Sequence, residues 1–136
     1  MPLPLEPDAD ALTIEALAGR TAVTALVATR IYDRIPENPA WPLLTVATVS
    51  DLEAEDPIGW QVIEQVDVFG ESGSRQHTFD ARTIARTIRA HARGMVGTYA
   101  SGTVRVCSAD QIRDVGPDPD TGRAHFSVDL SLTIYQ

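Results

Sequence analysis

The sequence predicts an α+β fold: a mostly antiparallel sheet of four to five strands with helices packed on one face. Three observations carry this expectation. In the last segment Phe126, Val128, Leu130, Leu132 and Ile134 alternate with Ser127, Asp129, Ser131 and Thr133, the period of a half-buried antiparallel strand. Between about residue 76 or 80 and Met95, the residues Ala81, Ile84, Ala85, Ile88, Ala92 and Met95 fall in one stripe at 100° per residue, which is an amphipathic helix. Finally, strand patterns come in pairs on either side of that helix rather than alternating singly with helices.

In chain order, the prolines of residues 1–7 predict an extended arm, and residues 8–136 one α+β domain. Asp8 or Asp10 caps a first helix that carries Leu12, Ala16 and Leu17 and stops at Gly19. A second short helix is capped by Thr21 and carries Val23, Leu26 and Val27. Residues 29–36 suggest a short edge strand or turn that ends at Pro36. A proline-broken loop around Trp41 leads to a strand over 43–51, a turn with an acidic tip at 53–59, and a strand over 60–69. These two strands form a hairpin. On the apolar side of the second, Glu64 interrupts the run of Trp60, Val62, Val66 and Val68. Gly70 to Ser74 turns the chain into the long helix. Residues 103–115 hold a strand that breaks near Ala109 or Asp110, with Cys107 opposite in phase to Val104 and Val106. Turn formers over 116–122 precede the final strand.

Composition excludes several function classes. Eleven basic residues, all arginine, face nineteen acidic ones, for a formal charge of −8. Such a balance argues against an electrostatic grip on nucleic acid, which needs a basic footprint, and against an anionic membrane surface. The single Cys107 offers neither a disulfide partner nor a thiolate zinc site. The start of the chain lacks the basic and apolar regions of a signal peptide, and apolar runs fall far short of the ~20 residues of a spanning helix. The expectation is a soluble domain made inside the cell.

Catalytic signals are sparse. His77, His91 and His125 lack metal-ligand spacing, and no nucleophile elbow or phosphate-cradling glycine motif occurs. Asp118, Asp120 and Asp129 around Gly122 resemble part of a calcium loop, but the glycine stands one position early and a hairpin tip explains the same residues. Glu53, Glu55 and Asp56 read as a solvated loop tip. One constellation stands out: Arg82, Arg86, Arg89 and Arg93 recur on the long helix at spacings of four, three and four, away from the Ile84 and Ile88 stripe. Like charges at that spacing repel. In so acidic a chain the row reads either as a solvated face or as a contact for carboxylates of a neighbouring subunit, with phosphate binding a third possibility.

The order of segments is also distinctive. The stretch ALVATRIYDRIPENPAWPLLTV is followed by VDVFGESGS, the helix DARTIARTIRAHARG and the close DPDTGRAHFSVDLSLTIYQ. This layout resembles the tail-terminator proteins of long-tailed bacteriophages, also described as tail-completion or tail-to-head joining proteins. The resemblance spans nearly the whole chain and rests on ordered pattern, not on a catalytic motif. It implies a structural virion protein at the head-proximal end of the tail, assembled in the host cytoplasm. It further implies a homo-oligomeric ring, typically hexameric, that stops growth of the tail tube protein and offers a docking face to the head–tail connector or head-closure protein. DNA passes through its lumen without specific binding, and neither cofactor, metal, catalysis nor membrane is implied. The row Arg82, Arg86, Arg89 and Arg93 is then the candidate subunit or partner interface. Glu53, Glu55, Asp56, Asp118 and Asp120 are candidate axial contacts. A head-closure or adaptor protein of the connector is the nearest alternative, and a small α+β enzyme or ligand-binding domain a more distant one.

Overall fold

The computed structural model describes residues 5–53 and 59–136. The elements run α1 (Ala9–Ala18), α2 (Thr21–Val27), β1 (Ile31–Tyr32), β2 (Leu43–Glu53), β3 (Trp60–Phe69), α3 (Arg75–His91), a 3₁₀ turn (Ala92–Met95), β4 (Gly97–Tyr99), β5 (Gly102–Asp114) and β6 (His125–Tyr135). The strands form a six-stranded sheet in the order β1-β2-β3-β6-β5-β4. All neighbours are antiparallel except β1, which runs parallel to β2. The expectation of four to five strands is thus corrected to six in a mixed sheet. The strand that the sequence hides is β4, where Gly97, Thr98 and Tyr99 are too few to show alternation.

The alternation of β6 has the predicted consequence. Phe126, Val128, Leu130, Leu132 and Ile134 are buried on the side that faces the helices. They join Val62, Val66 and Val68 of β3, Ala81, Ile84, Ala85 and Ile88 of α3, and Leu12, Ala16 and Leu17 of α1 in one core. Each buried Val, Leu, Ile or Phe among them contributes about 1.5–3 kcal/mol by leaving water.

Local chemistry sets the helix ends. Asp8 accepts from the Ala11 amide at 3.1 Å and caps α1, and Gly19 closes it. Ser74 accepts from the His77 amide at 3.2 Å and caps α3. Thr83 and Thr87 return their hydroxyls to the carbonyls of Phe79 and Thr83, which lets two β-branched polar residues sit inside that helix. The far end of α1 is fastened by Glu15, which accepts from the amide and hydroxyl of Ser101 in the β4–β5 turn. In that turn Gly102 has φ +151°, and a Cβ there would stand 2.6 Å from the Tyr135 carbonyl oxygen.

The anticipated break in β5 is a shift of register between Ala109 and Ile112, and a second shift lies between Val104 and Val106. The second one overturns the predicted phase of Cys107. An extra residue at Arg105 resets the alternation, so Val104 and Cys107 both face the helices while Val106 turns outward, 53% exposed. Burial pushes the Cys107 thiol up to about 12, which makes it inert.

Candidate assembly surfaces

α3 lies along the core with its Ile84 and Ile88 side down and its arginines lateral. Arg86, Arg89 and Arg93 are exposed, and Arg82 is half-buried because its guanidinium stacks on the Phe126 ring at 5.5 Å. Arg82, Arg86 and Arg89 line a groove of about 240 Å³ with Ile112 and Asp114 of β5 and Phe126 of β6. The predicted row is therefore real as geometry, and it runs beside the β5 edge of the sheet. Among the described residues none of the four arginines forms an ion pair.

The described candidate axial residues fall in two places, at the end of β2 and in the β5–β6 loop. Asp118 and Asp120 lie in the β5–β6 loop. Asp118 accepts from the Thr121 hydroxyl at 2.8 Å and from its amide at 2.9 Å, and these bonds hold its carboxyl below the usual range. The Asp118 side chain thus shapes the loop tip, and Asp120 is exposed. Glu53 ends β2, while Glu55 and Asp56 lie outside the described residues. No three His, Cys, Asp or Glu converge as a metal would require among the described residues, and no helix among them is long and apolar enough to cross a membrane.

The fold also brings together groups that are distant in sequence. Glu64, the residue that interrupts an apolar stripe, is fully buried with both carboxyl oxygens lacking a hydrogen-bond partner. Asp10 and Thr13 of α1 and Thr48 of β2 face it, and burial, with Asp10 adding to it, raises its carboxyl to about 7. Asp10 itself accepts from the Thr48 hydroxyl at 2.9 Å. Nearby, Glu6 is raised to about 7 by burial and by Asp51. Two carboxyl pairs, Glu64 with Asp10 and Glu6 with Asp51, thus lie where the N-terminal segment meets β2 and β3. The signal for this cluster was Glu64 itself, a charge in the wrong phase of a strand.

On the face of the sheet turned away from the helices, His125 meets Asp67 at 3.0 Å and stacks on Phe69. Arg113 reaches Asp129 at 3.1 Å. Arg123 covers the Trp41 ring at 4.2 Å, and its guanidinium donates to the Glu71 carbonyl. Below α3, Ser72 Oγ lies 2.7 Å from His77 Nδ1, and His77 Nε2 lies 3.1 Å from Glu71. This hydroxyl–imidazole–carboxylate chain borders a cleft of about 270 Å³ between α2 and α3. Ser72 Oγ also accepts from the Ser74 amide, so the group braces the turn into α3.

Comparison with known proteins places this geometry. The fold is similar to a chain in a solved structure described as the virion of a native gene transfer agent (GTA) particle, with a TM-score of 0.72 and 14% identity. The match covers 94% of this chain and 95% of that one, so the whole fold is shared. No curated protein matches the chain. A family model does: the one described as tail completion protein gp17 matches residues 12–135, from the first buried leucine of α1 to the end of β6, and the chain belongs to that family.

Proposed function

We propose that this protein forms a homo-oligomeric ring, hexameric by the family resemblance, on the head-proximal end of a phage tail tube. There it ends polymerisation of the tube protein and presents a docking face to the head connector. The family and the virion-derived fold support a structural role in the tail region. The observation that carries the finer reading is the arginine row of α3. Arg86, Arg89 and Arg93 are exposed, and none of the four arginines has an ion pair among the described residues, in a chain whose formal charge is −8. The acidic remainder of a second copy offers carboxylates for these guanidinium forks. Residues 8–136 act as one unit, with 1–7 as an arm, and the acidic tips at 53–59 and 116–122 reach the axial partners. The net negative charge lets DNA pass the lumen without adhering. No cofactor takes part, and no catalytic step is assigned.

Charge reversal tests this directly. Arg86→Glu with Arg89→Glu should abolish ring formation in solution and capping of tubes, both visible by negative-stain microscopy. Unchanged assembly on both counts removes the arginine interface. A strain lacking the protein separates the terminator reading from that of a head-closure or adaptor protein: overlong tails support the first, and tailless, leaking heads the second.

A further inference from the structure

The sheet ends on each side in a strand that covers only part of its neighbour. β1 pairs with Leu44 and Thr45 alone, so β2 from Val46 to Leu52 has no strand on its outer side among the described residues. β4 pairs only with residues 102–104, so β5 from Val106 to Ile112 is open in the same sense. The ladders through β3 and β6 place the two stretches at one height. Val46 is level with Ile112 through Val66 and Val128, and Leu52 with Val106 through Gln61 and Thr133. Three antiparallel steps separate β2 from β5, so the two run in opposite directions. A sideways copy of the molecule therefore meets it with an antiparallel strand at matching height.

Natural edges are guarded by Lys, Pro, bulges or short length. Each open stretch here carries a single acid, Asp51 or Asp110, and neither has Pro or Lys. The guards that do occur are the register shifts after Thr48 and after Ala109. Apolar Leu52 and Val106 stand exposed on the two edges, at 64% and 53%.

We propose that a second copy of this chain occupies the open β5 edge with its own open β2 edge, head to tail, so that the sheets of neighbouring copies join into one. This rests on the ring reading above and assigns its seam. Charge selects the pairing. The arginines of α3 run beside the β5 edge, whereas Glu6, Asp10 and Asp51 flank the β2 edge. Joining β5 to β5 across a two-fold axis brings two arginine rows to one seam, and β2 to β2 brings two acidic clusters together. Only β5 with β2 sets arginine against carboxylate. Such a contact is heterologous, and it closes into a ring when its rotation divides the circle.

Leu52→Cys and Val106→Cys, made separately in the full chain, test the seam with a bismaleimide long enough to span one residue of register error. Both positions are exposed, so the core is spared, and the parent chain with its buried Cys107 is the blank. The expected result is a covalent dimer only when the two variants are mixed. Dimerisation of either variant alone reveals a two-fold edge contact and overturns the proposal. Rings seen by mass photometry without the mixed cross-link overturn the seam but leave the ring reading intact. A chain that stays monomeric in solution and on tail tubes removes both.

Discussion

The two longer helices lie on the same sheet face and treat charge in opposite ways. α1 buries a carboxyl site: Glu64 is fully enclosed, faces Asp10 and Thr13, and is raised to about 7. α3 keeps its charges lateral, with Arg86, Arg89 and Arg93 exposed above a core stripe of Ile84 and Ile88. Burial makes the first region answerable to protons, because moving a carboxylate out of water without partners is costly. Exposure makes the second answerable to partners, because a solvated arginine adds little to folding yet keeps its fork for a carboxylate. On α3 the stabilising stripe and the arginines proposed above for assembly thus lie on different sides of one helix.

The largest expected effect tests that division within α3. Ile88 is fully buried, so Ile88→Ala should lower unfolding stability by about 2–5 kcal/mol through lost burial and a residual cavity. Arg89→Ala, one residue on, should change stability by no more than about 0.5 kcal/mol while weakening ring assembly. Urea unfolding and mass photometry on the same two proteins read both outcomes. If Arg89→Ala costs as much stability as Ile88→Ala, the arginine side is part of the fold and the division fails.

The next effect belongs to α1. Because Glu64 is raised from the usual 4.5 to about 7 in the native state, the folded protein holds a proton that the unfolded chain has released over that interval. Stability is then greatest below about pH 4.5, declines as pH rises, and levels off above pH 7; the contribution of this group is on the order of 3 kcal/mol. Glu64→Gln should remove most of the decline, matching the parent near pH 4.5 and melting higher than it at pH 8. Glu6, also raised to about 7 but partly exposed, accounts for a smaller remainder that Glu6→Gln removes. Circular dichroism melts from pH 4.5 to 8 decide the matter, and a parent whose melting temperature is flat over that range overturns it.

Legibility in the sequence followed the same physics. α3 and β6 were readable because their burial is one-sided, so the period appears residue by residue. β4 was not, since three residues carry no period, and its existence depends on pairing with residues 102–104. The phase of Cys107 does not follow from simple alternation because an extra residue at Arg105 shifts it, and a bulge has no composition of its own. The arginine row was legible from spacing alone. Its place beside an open strand edge was not, because that required the order in which β5 and β6 pair. The Glu64 site was half legible: the misplaced charge was visible, while Asp10, more than fifty positions earlier, is brought to it only by the packing of α1 on β2 and β3.

The smallest expected effect concerns a carboxylate of the opposite kind. Asp118 is held below the usual range chiefly by the Thr121 hydroxyl, with the Thr121 and Asp120 amides adding to this, and it lies in a surface loop rather than under a helix. A lowered carboxyl adds stability above its unfolded value near 3.8 that is lost only as pH falls through the still lower folded value, the reverse of Glu64. Thr121→Val removes the hydroxyl bond and leaves the amide bond, so stability near neutral pH should change by no more than about 0.5 kcal/mol. The Asp118 carboxyl, followed by its carbon resonance, should titrate closer to 3.8 in the variant. If its titration does not move, the hydroxyl does not set the Asp118 charge. If instead the variant melts as poorly as Ile88→Ala, the loop is part of the stabilising core and the contrast between buried and surface carboxylates is lost.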